Sequence, residues 1–130
     1  MKVLVTGSAG FIGSALSLRL LDRGDKLVGI DNHNDYYDPK LKDARLARHA
    51  DHPNYIHIRM NLEDRDAMAK IFEDEGFDCV VNLAAQAGVR YSINNPNAYV
   101  KSNLIGFCNL IELSKKYKIK HFIYASTSSV

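Results

Sequence analysis

The sequence predicts an α/β fold, a Rossmann-like doubly wound parallel sheet, because short apolar segments alternate along the chain with segments of helical period. Alternation of this kind implies right-handed crossovers between parallel strands and helices on both faces of the sheet. We expect the strand order 3-2-1-4-5. The length of 130 residues fits one domain.

Each predicted element has its own signal. The predicted strands are short runs rich in Val, Ile and Leu, at residues 2–6, 26–30, 55–59, 79–83 and 121–125. The predicted helices have helical period or helix-favouring composition, at residues 11–23, 40–48, 65–75 and 98–117. Because helix 98–117 is apolar on more than one side, we expect it to bury two faces. Cys79 and Cys108 lie among apolar neighbours, and we expect both in the core.

Composition and charge exclude several classes of protein. Apolar residues make up 46% and charged residues 25% of the chain, the balance of a folded soluble domain. The net charge of +2 provides no basic surface for nucleic acid. No segment approaches the roughly 18 apolar residues of a membrane helix, and no signal-peptide cleavage pattern follows the first strand, so we expect a cytoplasmic protein. Neither the two cysteines nor the five histidines have metal-ligand spacing, and we predict no metal site.

The end of the sequence predicts an incomplete domain. The chain ends at Val130, shortly after the fifth predicted strand and without a helix to cover it. A bare apolar strand edge favours aggregation. We therefore expect residues 1–130 to be the N-terminal piece of a longer protein, truncated after the fifth strand.

A glycine-rich turn joins the first predicted strand to the first predicted helix, with Gly7, Gly10 and Gly13 spaced three apart. In a dinucleotide site the first glycine allows the tight exit from the strand, the second allows close approach of a pyrophosphate, and the third allows close helix packing. The helix N-terminus, beginning at Phe11 and Ile12, then presents backbone amides to the anion. The turn therefore predicts a dinucleotide-binding site.

An acidic residue at the end of the second predicted strand supports this interpretation. Asp31 lies 24 positions after Gly7, where a carboxylate accepts hydrogen bonds from ribose hydroxyls. A carboxylate there repels a 2′-phosphate, and neither Asn32 nor His33 supplies a fixed positive charge. We therefore predict NAD and not NADP as the cofactor, with Asn32 beside it.

Segments beyond the glycine turn resemble known families. The glycine spacing, with residues 82–86 (NLAAQ) and 125–130 (ASTSSV), resembles the extended short-chain dehydrogenase/reductase superfamily. Residues 31–38 (DNHNDYYD), 86–92 (QAGVRYS) and 95–99 (NPNAY) are similar to the UDP-glucuronate 4-epimerase family of nucleotide-sugar epimerases. The resemblance implies that hydride moves from C4 of a UDP-hexuronate to NAD and returns to the opposite face of a 4-keto sugar. The expected substrates are UDP-glucuronate and UDP-galacturonate.

The resemblance also implies catalytic and substrate-binding residues. Thr127 would share the hydrogen bond of the substrate hydroxyl, beside Ser126 at the cofactor and Ser128 and Ser129 at the substrate. The general base would be the tyrosine of a Tyr-x-x-x-Lys pair on the next helix, and these 130 residues lack that helix. Tyr36 and Lys40 have the same spacing, but they lie in a turn after the second predicted strand, and we interpret that spacing as chance. The C-terminal portion that holds the UDP group in the family is also lacking. We therefore expect the chain alone to be inactive.

Further residues carry over from the family to the cofactor site. Asn61 and Leu62 would line the adenine pocket, where Asn61 replaces the usual aspartate by a weaker neutral acceptor. Asn103 would tie the backbone near the nicotinamide half. Arg90 would attract a hexuronate carboxylate or lie on the surface. The chain would pass the ribose and pyrophosphate at Leu83, Ala84, Ala85 and Gln86.

The resemblance implies a homodimer through helix 98–117 in the whole enzyme, although packing within a monomer is the alternative. Two other functions stay open. Related dehydratases and decarboxylases usually carry an acidic residue within two positions after the threonine, whereas Ser128 and Ser129 stand here, which favours epimerisation. A free-standing NAD-binding module is the third possibility.

Overall fold

The computed structural model describes residues 1–36 and 38–127 and contains a parallel five-stranded sheet in the order β3-β2-β1-β4-β5. Both the fold class and the strand order predicted from the sequence are confirmed. The strands are β1 (Lys2–Thr6), β2 (Lys26–Asp31), β3 (Tyr55–Arg59), β4 (Cys79–Asn82) and β5 (His121–Tyr124).

One or more helices follow each of the strands β1 to β4, and capping residues mark several of the helix ends. They are α1 (Phe11–Asp22), α2 (Pro39–Ala47), α3 (Arg65–Glu75), α4 (Val89–Asn94), α5 (Pro96–Tyr99) and α6 (Gly106–Lys116). Asp38 caps α2 by accepting a hydrogen bond from the Lys40 amide, and Asp64 caps α3 in the same way through Ala67. Gly76 ends α3 in the left-handed conformation that favours glycine.

The predicted helix over residues 98–117 is present, since residues 96–116 are helical without a break, but it is not one regular α-helix. The segment begins as α5, passes through a π-helical stretch at Val100–Ile105 and continues as α6. Apolar periodicity over six residues does not distinguish a wider helical turn from an α-helix, because both place apolar side chains on one side. The short helix α4 was not predicted, since six residues are too few to establish a helical period.

Two apolar layers enclose the sheet, because alternate residues of each buried strand point to opposite faces. Leu4 contributes to one layer, while Val3 and Val5 contribute to the other. The first layer also contains Val28, Ile30, Leu62, Met68, Phe72, Phe77, Val80, Leu110 and Leu113. The second layer also contains Leu21, Leu27, Tyr55, Cys79 and Val81. Because both layers pack against the strands, they hold in place the edge of the sheet at which the strands end.

The cysteine prediction holds for one residue and fails for the other. Cys79 is buried in β4, whereas Cys108 is exposed on α6. Cys108 fails because it shares an outward stripe with Leu104 and Ile111, which are both exposed. Only Gly106, Asn109, Leu110, Leu113 and Ser114 of α6 are buried.

The strand β5 lies at one edge of the sheet, and the side chains of Ile123 and Tyr124 on it are exposed.

Within the residues that the structure describes, no helix has the length and apolar character needed to cross a membrane.

Truncation of a core aromatic residue is expected to destabilise the fold strongly. Phe72 is 1% exposed and packs edge-on against Phe77, with ring centroids 5.4 Å apart. We expect Phe72→Ala to lower the free energy of unfolding by about 3–5 kcal/mol, because it opens a cavity. Urea unfolding measures the change. The control Ile93→Ala alters a side chain that is 77% exposed and should change stability by less than about 0.5 kcal/mol. Equal losses in both variants would contradict the placement of Phe72 in the core.

Candidate functional site

A cleft of about 420 Å³ lies at the carboxyl edge of the sheet. The chain leaves β1 and β4 on opposite sides at this edge, which is where open α/β sheets bind ligands. The cleft is lined by nine of the residues predicted to bind a cofactor, namely Gly7, Gly10, Phe11, Asp31, Asn32, Leu62, Leu83, Ala84 and Ala85. One cavity therefore brings together residues far apart in sequence.

The glycine turn forms the start of the cleft and needs glycine at two positions. Gly7 has φ +69° and lies so close to β4 that a Cβ would come within 2.9 Å of the backbone nitrogen of Ala84. A Cβ at Gly13 would overlap the carbonyl oxygen of Gly7, so Gly13 allows α1 to pack on the turn. Gly13 therefore supports the cleft from behind and does not line it.

The N-terminus of α1 faces the cleft with its backbone donors available. Gly10 precedes the helix without a side-chain cap, and the first turn contains no acidic residue, as far as the structure describes the chain. The first N–H groups of a helix need acceptors from outside it, and the helix dipole favours an anion there. The Phe11 side chain is exposed above the cleft, with the Arg45 guanidinium 5.7 Å from its ring centroid. The Ile12 side chain is also exposed. This helix end can accept a phosphate.

Asp31 lies at the end of β2, where three donors hold its buried carboxylate. Its Oδ2 accepts a hydrogen bond from the Ala9 backbone N–H at 3.1 Å. Its Oδ1 accepts from the His33 backbone N–H at 2.8 Å and from Lys42 Nζ at 3.1 Å. Two carboxylate oxygens offer about four acceptor sites, so capacity remains for a ligand hydroxyl. Asp31 thereby connects the glycine turn, the loop after β2 and α2.

Lys42 is a site residue that the sequence analysis missed. It supplies the positive charge beside Asp31 that neither Asn32 nor His33 provides, and with Arg45 it lines the cleft. The two residues are three apart on α2 and therefore lie on one helix face. The sequence therefore shows that Lys42 and Arg45 share a face of α2. It does not show that this face is turned toward Asp31, because a polar helix has no apolar stripe that predicts how it packs.

The opposite wall follows β4 and is held by side-chain hydrogen bonds. Thr6 Oγ1 accepts from the backbone N–H groups of Leu83 and Ala84, both at 3.1 Å. Asn103 Oδ1 accepts from the Gln86 N–H at 2.8 Å, and its Nδ2 donates to the Gln86 carbonyl at 3.2 Å. Asn103 therefore ties the backbone after β4 from within the π-helical stretch, whereas its predicted place near the nicotinamide stays a prediction.

The loop after β3 also lines the cleft, with two apolar side chains and one acidic one. Met60 and Leu62 line it beside Glu63. The Leu62 carbonyl accepts a hydrogen bond from Asn109 Nδ2 at 2.8 Å, which ties this loop to α6. Asn61 is exposed and is not among the residues that line the cleft, so its predicted contact with adenine stays a prediction.

Comparison with known protein families gives one match that runs through nearly the whole sequence. The model of the NAD dependent epimerase/dehydratase family matches residues 3–130. The chain belongs to this epimerase/dehydratase family.

Relatives from several organisms are similar over the full chain. Protein CapI of Staphylococcus aureus is 49% identical over 130 residues, covering 100% of the chain and 39% of CapI. UDP-glucuronate 4-epimerase 1 of Arabidopsis thaliana is 46% identical over 131 residues, covering 100% of the chain and 30% of that enzyme. The chain therefore spans less than half the length of these relatives.

Solved structures in the epimerase/dehydratase family superimpose closely. UDP-glucuronic acid 4-epimerase from Bacillus cereus, in complex with UDP-glucuronic acid and NAD, has a TM-score of 0.90 at 37% identity, covering 100% of this chain and 41% of that one. UDP-glucose 4-epimerase from Thermotoga maritima, with UDP-glucose, has a TM-score of 0.84 at 36% identity, covering 98% of this chain and 38% of that one.

Five predicted site residues are not among those that line the cleft: Ser126 at the cofactor, the catalytic Thr127, and Arg90, Ser128 and Ser129 at the substrate. Ser126 and Thr127 follow β5 and are exposed. Arg90 is exposed on α4. Ser128 and Ser129 lie outside the residues that the structure describes. The roles of all five residues therefore stay predictions.

A cluster of histidines and a tyrosine packs behind Asp31. His57 Nε2 lies 2.8 Å from His33 Nε2, and His57 Nδ1 lies 3.0 Å from the Tyr55 hydroxyl. The rings of His49 and Tyr55 pack edge-on with centroids 4.6 Å apart. Across residues 1–36 and 38–127, no three His, Cys, Asp or Glu side chains are grouped as a metal ion would require.

Burial sets the protonation of this cluster. It lowers the pKa of His57, and the neighbouring His33 lowers it further. Burial also lowers the pKa of His49, followed by the charge of Arg48. Burial raises the pKa of the Tyr55 hydroxyl. These shifts favour the neutral forms of His49, Tyr55 and His57.

Stability is expected to fall on acidification. The pKa values of His49 and His57 lie below the ordinary value of 6.5, so the unfolded chain binds more protons as the pH falls through 6.5. The stability from both groups is present above 6.5 and is lost below it. We expect the urea midpoint to be lower at about pH 5.5 than at about pH 7.5.

A variant of the buried histidine isolates this effect. Neither ring nitrogen of His49 has a hydrogen-bond partner among the described residues, so His49→Phe removes an uncompensated polar ring and keeps the ring contact with Tyr55. We expect its acid loss to be smaller than that of the wild type. The control His121→Gln, at an exposed position in β5, should keep the full loss. Equal losses in all three proteins would contradict the assignment.

Proposed function

We propose that the chain is the NAD-binding portion of a UDP-glucuronate 4-epimerase. The observation that carries the proposal is the cleft in which the glycine turn, the uncapped end of α1 and the carboxylate of Asp31 converge. Membership of the epimerase/dehydratase family supports NAD as the cofactor. Relatives named as UDP-glucuronate 4-epimerases support the choice of sugar.

The cleft residues fit a dinucleotide in shape and in chemistry. The unoccupied acceptor sites of Asp31 would receive the ribose hydroxyls. The turn at Gly10 and the amides of Phe11 and Ile12 would hold the pyrophosphate. The loop at Leu62 would hold adenine. A Cβ at Gly7 would collide with the backbone of Leu83 and Ala84, so glycine at this position lets the turn and the segment after β4 lie side by side at the cleft.

When bound, NAD would reversibly accept the hydride of C4 while the tyrosine base took the proton of the C4 hydroxyl, which would give a 4-keto sugar and allow C4 to invert. Thr127 would hold the substrate hydroxyl by a hydrogen bond, with Ser126 beside the cofactor. Arg90, Ser128 and Ser129 would contact the sugar. The Tyr-x-x-x-Lys pair and the UDP-binding portion would lie outside these 130 residues. The chain by itself would then bind NAD without turnover.

The exposed apolar stripe of the helical segment supports a homodimer of the whole enzyme. Val100, Leu104 and Ile111 are each at least 45% exposed along this segment. Large exposed apolar side chains in one row are typical of surfaces that another protein covers. A second copy, meeting the first through residues 98–117, is the proposed partner.

Calorimetric titration of NAD into the chain tests the cofactor assignment. We expect saturable binding, and a loss of at least about tenfold in affinity for Asp31→Asn, because an amide offers fewer acceptor sites than a carboxylate. The control Asp51→Asn makes the same chemical change at an exposed position away from the cleft. Absence of binding by the folded wild type would contradict the proposal.

The same samples test where the catalytic residues lie. With UDP-glucuronate and NAD added, chromatography should detect no UDP-galacturonate. Its formation would contradict the placement of the tyrosine–lysine pair outside the chain.

Cofactor selectivity is expected to shift when the carboxylate is removed. Lys42 and Arg45 would remain in the cleft after Asp31→Ser, so the repulsion of a 2′-phosphate is replaced by attraction. We expect the ratio of NADP to NAD affinity to rise by at least about tenfold in titrations of both cofactors. In Asp31→Ser with Lys42→Met the rise should be smaller. An unchanged ratio in Asp31→Ser would show that the carboxylate does not select the cofactor.

A further inference from the structure

His33 has an unusual backbone conformation next to the cofactor cleft. Its φ is +53°, in the left-handed region that most side chains avoid. In this conformation its backbone N–H donates to Asp31 Oδ1, two residues earlier, at 2.8 Å. The turn is of the kind in which an aspartate side chain accepts from the backbone two positions on. The orientation of the Asp31 carboxylate therefore depends on His33 keeping this conformation.

The imidazole of His33 is anchored away from the cleft. His33 is 7% exposed, and its Nε2 lies 2.8 Å from His57 Nε2, with the two rings edge-on at 5.0 Å. On its other side, Nδ1 lies 3.5 Å from Asp43 Oδ1. The side chain is thus held between β3 and α2. These contacts compensate for a backbone conformation that is otherwise unfavourable.

The hydrogen bond between the two Nε2 atoms needs one proton and one lone pair. One arrangement satisfies the pair, in which the Tyr55 hydroxyl donates to His57 Nδ1 and His57 Nε2 donates to His33 Nε2. His33 Nδ1 then carries its proton toward Asp43. A first added proton can enter at His57 Nδ1, where it donates to the Tyr55 oxygen. A second proton must enter between the rings, and two N–H groups then face each other.

We propose that His33 is a positioning residue for Asp31, held by its hydrogen bond to His57 and released by acid, so that protonation of the histidine pair weakens NAD binding. The proposal rests on the NAD site proposed above. His33 joins that site because its backbone N–H contacts Asp31, and the position of this N–H depends on the charge of the His33 ring.

Charged and titratable groups face the pair from each neighbouring element. Asp31 lies at the end of β2, Lys42 and Asp43 on α2, Tyr55 and Arg59 on β3, and His49 after α2. The negative charges of Asp31 and Asp43 favour uptake of a first proton by the histidine pair, whereas His49 and the positive charge of Arg59 oppose it. Burial, followed by the neighbouring His33, lowers the pKa of His57. The hydrogen bond between the two rings is therefore lost when acid adds the second proton to the pair.

Titration of NAD into the full chain at about pH 8, 6.5 and 5 tests the proposal. In the wild type we expect affinity to be similar at the two higher values and about tenfold weaker at the lowest. His33→Asn keeps a residue that tolerates the left-handed conformation but removes the imidazole. It should bind more weakly than the wild type at about pH 8 and show less than about twofold further loss in acid. The control His121→Gln should follow the wild type.

A second measurement does not depend on NAD. In the NAD-free protein, the amide proton of His33 should move in the NMR spectrum when the histidine pair takes up its second proton, because that proton breaks the hydrogen bond between the two rings. His57→Phe, which cannot hold the His33 ring by a hydrogen bond, should show the displaced amide signal at every pH.

Two results would overturn the proposal: an amide signal of His33 that does not respond to acid, or equal pH profiles of NAD affinity for the wild type and His33→Asn. If the wild type binds no NAD at about pH 8, the proposed function fails. The amide titration still decides whether His33 positions Asp31.

Discussion

The site depends on one buried carboxylate and the three donors that hold it. Asp31 receives an N–H from the glycine turn, an N–H from its own loop and the ammonium group of Lys42. Charge-assisted hydrogen bonds of this kind are stronger than neutral ones, and removal of a partner from a buried charge is costly. Because the donors come from three separate segments, the same contacts that stabilise the charge also position these segments relative to one another.

The strand order explains why these segments meet. In the order β3-β2-β1-β4-β5, the chain leaves β1 toward one face and β4 toward the other, which opens a crevice between them. The Asp31 carboxylate is at the end of β2, one strand away. A cofactor lying along this edge would therefore contact the ends of several strands without any long loop being needed. Position in the sheet, more than local sequence, assembles the cleft.

Much of this arrangement was predictable from the sequence, and the failures have physical causes. Buried parallel strands are nearly continuous apolar runs, so all five were found, and the glycine turn and Asp31 follow them at defined distances. Lys42 was missed because its role depends on how a polar helix packs. The π-helical stretch was missed because it keeps the apolar pattern of an α-helix. His33 was noted only for its lack of charge, because a left-handed backbone at a non-glycine residue leaves no sequence pattern.

The hydroxyl of Thr6 has a consequence for how tightly this cleft can bind. One oxygen atom, at the end of β1, accepts two backbone N–H groups from the start of the opposite wall and donates to Asn82. The two walls are thus joined at their base within the protein itself. Segments that are already ordered lose little conformational freedom when a ligand arrives, so more of the contact energy remains as affinity. A cavity joined at its base in this way therefore favours slow release of whatever ligand it binds.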